Sequence, residues 1–337
     1  MYAPVIHELI ETEGLVSLSV YFKGIATYVP GLYPQLMSLI RPPRTGGTDS
    51  ARYCYSVWLR HLVMASMNGL RTRLHSVAEL GPGDSLGTGI AALLSGADAY
   101  YAFDVVPYAT NERNLKMVDE LVDLFRSRAP IPSEPEFPWV EPRLPAYDFP
   151  RDILTDSLLS RALSKERVKA IRRAVASVSA KPTDGIQISY RVPWDEASII
   201  QPHSVDLVYS QAVLEHVESL QRTYRALFQW LKPSGYMSHT IDFRSHGTAR
   251  EWNGHWSYSE LEWKVIHGKR RWLLNRQPHS IHIKLAEQAG FKIVSDLRQQ
   301  GRKGLERKRL ARSFQALSDE DLSTAGAFIQ AVPQLSM

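Results

Sequence analysis

One cysteine, Cys54, is all the chain has. That excludes an intrachain disulfide framework and any cysteine-built metal site, and it suits a reducing cytoplasm, the expected location. Long hydrophobic runs are also missing: no stretch approaches the ~20 apolar residues that span a bilayer. The opening MYAPVIHELIETEGLVSLSVYF carries Glu8, Glu11 and Glu13 where a signal peptide needs an apolar core. Charge of one sign is scarce. Lys and Arg number 40 and Asp and Glu 35, a net +5 over 337 residues, which is too little to demand a nucleic-acid partner. The excess is local, in GKRR (268–271) and GRKGLERKRLAR (301–312). No Gly-Lys-Ser/Thr follows any glycine-rich turn, so a P-loop is excluded.

What is present is a rhythm. From His75 onward, short β-rich runs alternate with helical stretches, the mark of an α/β sheet. Expected strands are HSVAEL (75–80), DAYYAFDV (98–105), GIQISY (185–190), SVDLVYS (204–210), GYMSHTIDF (235–243), FKIVSD (291–296) and AGAFIQAV (325–332). Expected helices include 86–94, 217–231 and 280–289. Two regions break the rhythm. Residues 1–72 read as helical and are divided by RPPRTGGTDS (41–50); within them YVPGLYPQLMSLI (28–40) is apolar enough to touch a membrane surface or a partner. The link between the second and third strands is far longer than a crossover requires. It holds helical patterns at 112–125 and 164–178 around APIPSEPEFPWVEPRLPAYDFP (129–150), too proline-dense for helix or central strand. Such a segment reads as a lid.

The turn ELGPGDSLGTG (79–89) follows the first strand and opens a helix. A dinucleotide fingerprint needs G-x-G-x-x-G; Gly81 and Gly83 fit, but Leu86 takes the third place and Gly87 comes one residue late. Glu79 at the start of the turn would repel a pyrophosphate, yet it suits a cationic ligand without phosphate, such as S-adenosylmethionine. Asp104, about twenty residues on, ends the second strand where an acid accepts hydrogen bonds from ribose hydroxyls.

The run HSVDLVYSQAVLEHVESL (203–220), followed by LKPSGYMSHTIDF (231–243), resembles the class I S-adenosylmethionine-dependent methyltransferases over about residues 75–298. Ser234 replaces a glycine of the family's Leu-Lys-Pro-Gly-Gly, and Ser85 stands where a third glycine often sits. The stretch 79–105 is also similar to methyltransferases of bacterial surface-polysaccharide biosynthesis. The resemblance implies a Rossmann-like, seven-stranded α/β sheet with helices on both faces. The residues themselves divide into an expected helical extension over 1–72 and a cofactor-binding domain over 73–337, with 110–182 a lid insertion, outside the resemblance, and 244–279 an aromatic acceptor loop. The resemblance places Gly81, Pro82, Gly83 and Ser85 around the methionine part of S-adenosylmethionine, Glu79 on its amino group directly or through water, Asp104 on the ribose and Val105 beside the adenine. No acid directly follows Tyr190, so adenine recognition falls to backbone near Arg191 and Val192. Ser210 and Gln211 would face the methyl-bearing end.

A hydroxyl acceptor gains from a general base, and histidine serves near neutral pH. Candidates are His216 in LEHV, His246 after the fifth strand, and His239 within it. His239, Asp242 and His246 together suggest a metal, but strand alternation sets His239 and Asp242 on opposite faces, so no metal is expected. Of the aromatics in 250–279, Trp252 and Trp256 suit a sugar platform, while Trp263 and Trp272 read as the loop's own core. The expected activity is methyl transfer to a hydroxyl of a small molecule or glycan in cell-surface polysaccharide biosynthesis. The alternatives are RNA or protein methylation, or a non-catalytic scaffold. RNA methylation is disfavoured because the Asn/Asp-Pro-Pro-Tyr motif used for base amino groups is missing.

Overall fold

A computed structural model of the chain describes residues 13–31, 47–194, 197–270 and 272–334. Most of the apolar stretch 28–40 lies outside them. Helix α1 (Glu13–Ala26) and helix α2 (Ala51–Met67) precede the sheet. Then come β1 (Ser76–Leu80), α3 (Gly87–Leu94), β2 (Ala99–Phe103), α4 (Asn111–Ser127), α5 (Asp156–Ala162), α6 (Lys165–Ala176), β3 (Ser179–Thr183) and β4 (Ile186–Arg191). The second half runs β5 (Val205–Gln211), α7 (Leu220–Trp230), β6 (Leu231–Asp242), α8 (Glu260–His267), α9 (His279–Gln288), β7 (Phe291–Gln300), α10 (Asp319–Ser323) and β8 (Thr324–Pro333).

The strands form one sheet in the order β3-β4-β2-β1-β5-β6-β8-β7. Strands β4, β2, β1, β5 and β6 are parallel; β8 runs antiparallel to both β6 and β7. This is the expected Rossmann-like α/β sheet with one strand more. The addition, β3, pairs antiparallel with β4 at the edge. Its Pro182 hides it from a propensity reading, yet an edge is where a strand tolerates proline. Chain order reverses between β2-β1 and β5, so a crevice opens beyond the carboxyl ends of β1 and β5, where open α/β sheets bind ligands. No helix among the described residues is long and apolar enough to cross a membrane.

Two packing layers hold this crevice in place. On one face α2, α3, α4 and α6 bury Trp58, Leu62, Ile90, Leu93, Met117, Leu121, Phe125 and Ile171 against β1 and β2. On the other, α7 and α9 bury Tyr224, Leu227, Trp230 and Ala286 against β5, β6 and β8. Two sequence boundaries therefore move. Most residues of α2 are buried in the main core, so packing does not break at 72. Likewise 110–182 is not a detached lid, because the apolar stripes of α4 and α6 complete the first layer. Its proline-rich part reaches the crevice, and at the start of α4 Arg113 donates to the Asp84 carbonyl of the glycine turn at 2.9 Å. The proline-rich part is held by a few backbone hydrogen bonds of its own, such as Ile131 N–H to the Tyr147 carbonyl at 2.7 Å, and by buried Arg60. The guanidinium donates to the carbonyls of Val140 and Pro142 at 2.8 Å and of Pro132 at 3.0 Å. Segment 129–150 is thereby a fixed wall, and its Glu141 carbonyl accepts from Gln211 Nε2 and Thr240 Oγ1 at the ends of β5 and β6.

Candidate active site

At the crevice floor, Gly81 continues the β1–β2 ladder by donating to the Phe103 carbonyl at 2.8 Å. Its φ is +65°, a left-handed conformation that glycine adopts without penalty, and a Cβ there would lie 2.5 Å from Val213 Cγ2. Gly83, at φ +72°, points its N–H at Asp104 Oδ2, 3.4 Å away. The Asp104 carboxylate also accepts from the backbone N–H groups of Val105 (2.7 Å) and Val106 (3.3 Å). Burial raises its pKa and these three donors pull it back, leaving a net rise. Beside it Val105 is 42% exposed, although apolar. Pro82 is buried in the turn, Arg191 is exposed and Val192 half-buried. The Arg191 carbonyl holds Asp104 N–H at 3.1 Å. Bare main chain, an acid and an exposed apolar side chain thus line one edge of the crevice. This set fits the amino-acid tail, ribose and adenine of S-adenosylmethionine.

Three expected contacts sit elsewhere. The Glu79 carboxylate is turned into the core, where it accepts a hydrogen bond from the Tyr100 hydroxyl. Burial lifts its pKa to about 7 against the opposing hydrogen bond of Tyr100. It therefore supports the floor from below. Ser85 is buried, donates to the Thr48 carbonyl and accepts from Gly87 N–H at 3.0 Å, so its hydroxyl is engaged inside the fold and does not face the crevice. Ser210 is likewise buried, its hydroxyl 2.8 Å from His239 Nδ1. Both side chains project into the α7/α9 layer, because alternation along β5 and β6 puts Gln211 and Thr240 on the α2 side. His239 is fully buried, and burial and the neighbouring His61 lower its pKa to about 3. It is a core histidine and not a catalytic candidate.

The other two histidines come together. After β5 the chain turns through Ala212 (φ +54°) into a 3-10 turn, Leu214–His216. Asn275 pins this turn, its Nδ2 donating to the Leu214 and Val217 carbonyls and its N–H to that of Glu215. After β6, Asp242 takes Arg244 through a two-pronged ion pair at 2.7 Å and meets His246 Nε2 at 3.1 Å. The rings of His216 and His246 are 5.2 Å apart. Burial acts against ionisation of Asp242, but His246 and Arg244 outweigh it and hold the carboxyl far below its ordinary value. Burial first, with the neighbouring imidazole of His246 next, pushes His216 down to about 4, so it is neutral at pH 7. Glu215, buried with Asp242 nearby, is pushed well above the usual carboxyl range. Among the described residues no group of three or more His, Cys, Asp or Glu is arranged to hold a metal.

A cleft of about 450 Å³ opens from His216 between the start of α7 and α8–α9, lined by Trp263, His267, Leu273 and Asn275. Trp263 packs in a small core with Val20, Ile266 and Leu274, as expected of it, whereas Trp272 is 45% exposed and Trp256 leaves its expected place. Trp256 is fully buried, donating to the Arg276 carbonyl at 3.0 Å, and Trp252 packs on it and over Gly301 and Gly304. They form a second small core of the loop, while Trp263 also lines the cleft. Four participants are not among the residues expected from sequence: Val213, Glu215, Arg244 and the Glu141 carbonyl. Glu215 lies inside the LEHV motif, which is a usable signal; Glu141 carries none, because its part is played by the backbone.

Residues 77–296 match the profile of the methyltransferase domain family. No curated protein matches the chain. Among solved structures, the chain is similar to phosphoethanolamine N-methyltransferase 2 of Haemonchus contortus in complex with S-adenosyl-L-methionine, at 14% identity and a TM-score of 0.41 over 87% of this chain and 59% of that one. It is also similar to an S-adenosylmethionine-dependent methyltransferase of Mesorhizobium loti, at 14% identity and a TM-score of 0.36 over 80% and 97% of the two chains.

Proposed function

The chain belongs to the class I S-adenosylmethionine-dependent methyltransferases, and from that premise we propose that it methylates a hydroxyl of a small molecule or glycan. When bound, S-adenosylmethionine supplies a methyl group on a sulfonium, already electrophilic. Gly81 and Gly83 lie under its amino-acid tail, Asp104 accepts from the ribose hydroxyls, Val105 flanks the adenine, and backbone at Arg191 and Val192 reads its edge. Gln211 borders the methyl-bearing end.

The observation that carries the hydroxyl acceptor is the His246–Asp242 pair at 3.1 Å beside His216. Asp242 holds the Nε2–H of His246, which leaves Nδ1 to take the hydroxyl proton, a general-base role. Neutral His216 orients the acceptor oxygen. Segment 244–279 supplies the acceptor wall through Trp263, and its aromatic face suits a sugar ring. The likeness of 79–105 to surface-polysaccharide methyltransferases supports the same class, and the one buried thiol, Cys54, suits a cytoplasmic enzyme. RNA is less well supported, because the basic segments are partly consumed internally. Arg307 pairs with Asp319 and Arg270 is buried against the Ile266 carbonyl.

His246→Ala is expected to lower kcat by ~10²–10⁴-fold while S-adenosylmethionine affinity stays unchanged. The acceptor is found by following labelled methyl into lysate glycans, with Asp104→Ala as the control that loses cofactor binding. An undiminished kcat in His246→Ala would refute the base; label entering RNA or protein instead of a glycan would refute the acceptor.

A further inference from the structure

Helix α1 has two apolar faces, and among the described residues one of them is packed on α8 and the other is exposed. On the inner side Val20 and Ala26 are buried and Tyr21 donates to Glu262 at 2.8 Å. Gly24 lies so close to α8 that a Cβ would come within 2.5 Å of the Ile266 carbonyl oxygen. The Lys269 N–H donates to Thr27 Oγ1 at 2.9 Å. The two helices therefore run side by side in the same direction. The outer side carries Leu18, Phe22, Ile25 and Val29 at helical spacing, exposed by 68, 55, 52 and 48%. Tyr28 is 55% exposed with Lys269 Nζ 5.3 Å above its ring, and Trp272 is 45% exposed. Large contiguous apolar exposure of this kind marks an interaction site.

The charge around this stripe has one sign. From Leu18 to Gly31 the chain has no carboxylate, and none occurs from Trp263 to Arg270, whereas Lys23, Lys264 and Lys269 lie in those spans. The acids at the other end of α8 are engaged, Glu260 with Arg276 and Glu262 with Tyr21 and Ser259. Lysine is depleted in protein–protein interface cores, but a helix with an apolar stripe, flanking lysines and tyrosine or tryptophan at its margin suits the headgroup region of a bilayer. We propose that the α1/α8 face docks on an anionic lipid surface, with Leu18, Phe22, Ile25 and Val29 entering the interface and the three lysines meeting lipid phosphates. Because α8 also lines the His216 cleft through Trp263 and His267, docking brings that cleft to the membrane. Only this last consequence rests on the acceptor reading above; docking does not.

The test is sedimentation of the full chain with vesicles of phosphatidylcholine alone, or mixed equally with phosphatidylglycerol. Binding to the mixed vesicles, weakening with salt, is expected. Phe22→Ser should weaken it about tenfold, as burial of a large apolar side chain implies, and Lys269→Gln about fivefold, both with S-adenosylmethionine affinity unchanged. Phe22→Cys carrying an environment-sensitive dye gives a second readout, since Cys54 is buried and its thiol is pushed up to about 12 by burial. The dye emission should shift only when anionic vesicles are added. Equal binding to both vesicle types, no binding, or a dye already in an apolar setting without lipid would each overturn the proposal. A concentration-dependent dimer abolished by Phe22→Ser would reassign the face to a second copy of the chain.

Discussion

Replacing Glu79 by glutamine tests whether the floor of the crevice is a neutral acid. An ordinary glutamate carboxyl titrates near 4.5; burial lifts Glu79 to about 7, even with Tyr100 donating to it. Between those values the native protein keeps a proton that the unfolded chain has lost. Glu79 therefore stabilises the fold fully below about pH 4.5, and this contribution disappears as pH rises through about 7. The difference in pKa corresponds to about 3 kcal/mol across the window. Glutamine stays neutral throughout and lacks this slope. Urea unfolding of both proteins at pH 5 and pH 8 should show wild type losing most of this, about 2–3 kcal/mol, relative to Glu79→Gln between the two. Taking the difference cancels the other titrating groups, which the two proteins share. A difference that does not change with pH would refute the reasoning. Titrating S-adenosylmethionine in buffers of different ionisation enthalpy extends the test. Direct anchoring of its ammonium expels the Glu79 proton, whereas support from below does not.

Two further outcomes concern the same layers. Gly89→Ala drives a methyl into the ring of Tyr100, which is fully buried and bonded to Glu79; it should cost about 1–3 kcal/mol of stability, read as a lower urea midpoint, and an unchanged midpoint would show that the ring can move aside. His282 is fully buried on α9 and burial lowers its pKa to about 3, so its contribution is present above the unfolded value near 6.5 and is lost as pH falls toward 3. His282→Gln should therefore unfold less steeply in acid than wild type, and an identical acid limb would refute the buried neutral imidazole.

Seven strands are legible in the sequence because each is a β-rich run bounded by turn residues, and period and punctuation are local signals. The eighth, β3, is invisible there because Pro182 argues against a strand and only its edge position permits one. The insertion misleads for a different reason. Its helices announce themselves by their apolar stripes, but a stripe does not say what it packs on. For α4 the partners are α3 and α2, the latter lying earlier in the chain than the first strand, and for α6 they are α4 and the β3–β4 edge. Arg60, which organises the proline-rich wall, likewise looks like any other arginine until three carbonyls surround it. The histidines divide along the same line. Strand alternation correctly separates His239 from Asp242, but the pairing of His216 with His246 joins turns after two different strands and has no local signature.

The glycine turn shows how a pattern that reads as one residue out of step can be physically regular. In a dinucleotide fingerprint the third glycine lets helix and strand pack closely. Here that task is divided. Gly87 faces Cys54, where a Cβ would lie 2.6 Å from the thiol sulfur, and Gly89 faces the Tyr100 ring. Tyr100 needs that space because its hydroxyl reaches beneath α3 to Glu79. The tyrosine, the acid and Gly89 are therefore one packing solution: a buried carboxyl requires a donor, the donor requires a ring, and the ring requires a helix without a side chain above it. Gly81 is governed separately, by Val213 from the turn after β5. A substitution at Gly81 would thus act on the crevice through Val213 and the turn carrying His216, whereas one at Gly89 would act on the core. The spacing of the motif encodes two constraints of different origin, which is why a single template does not fit it.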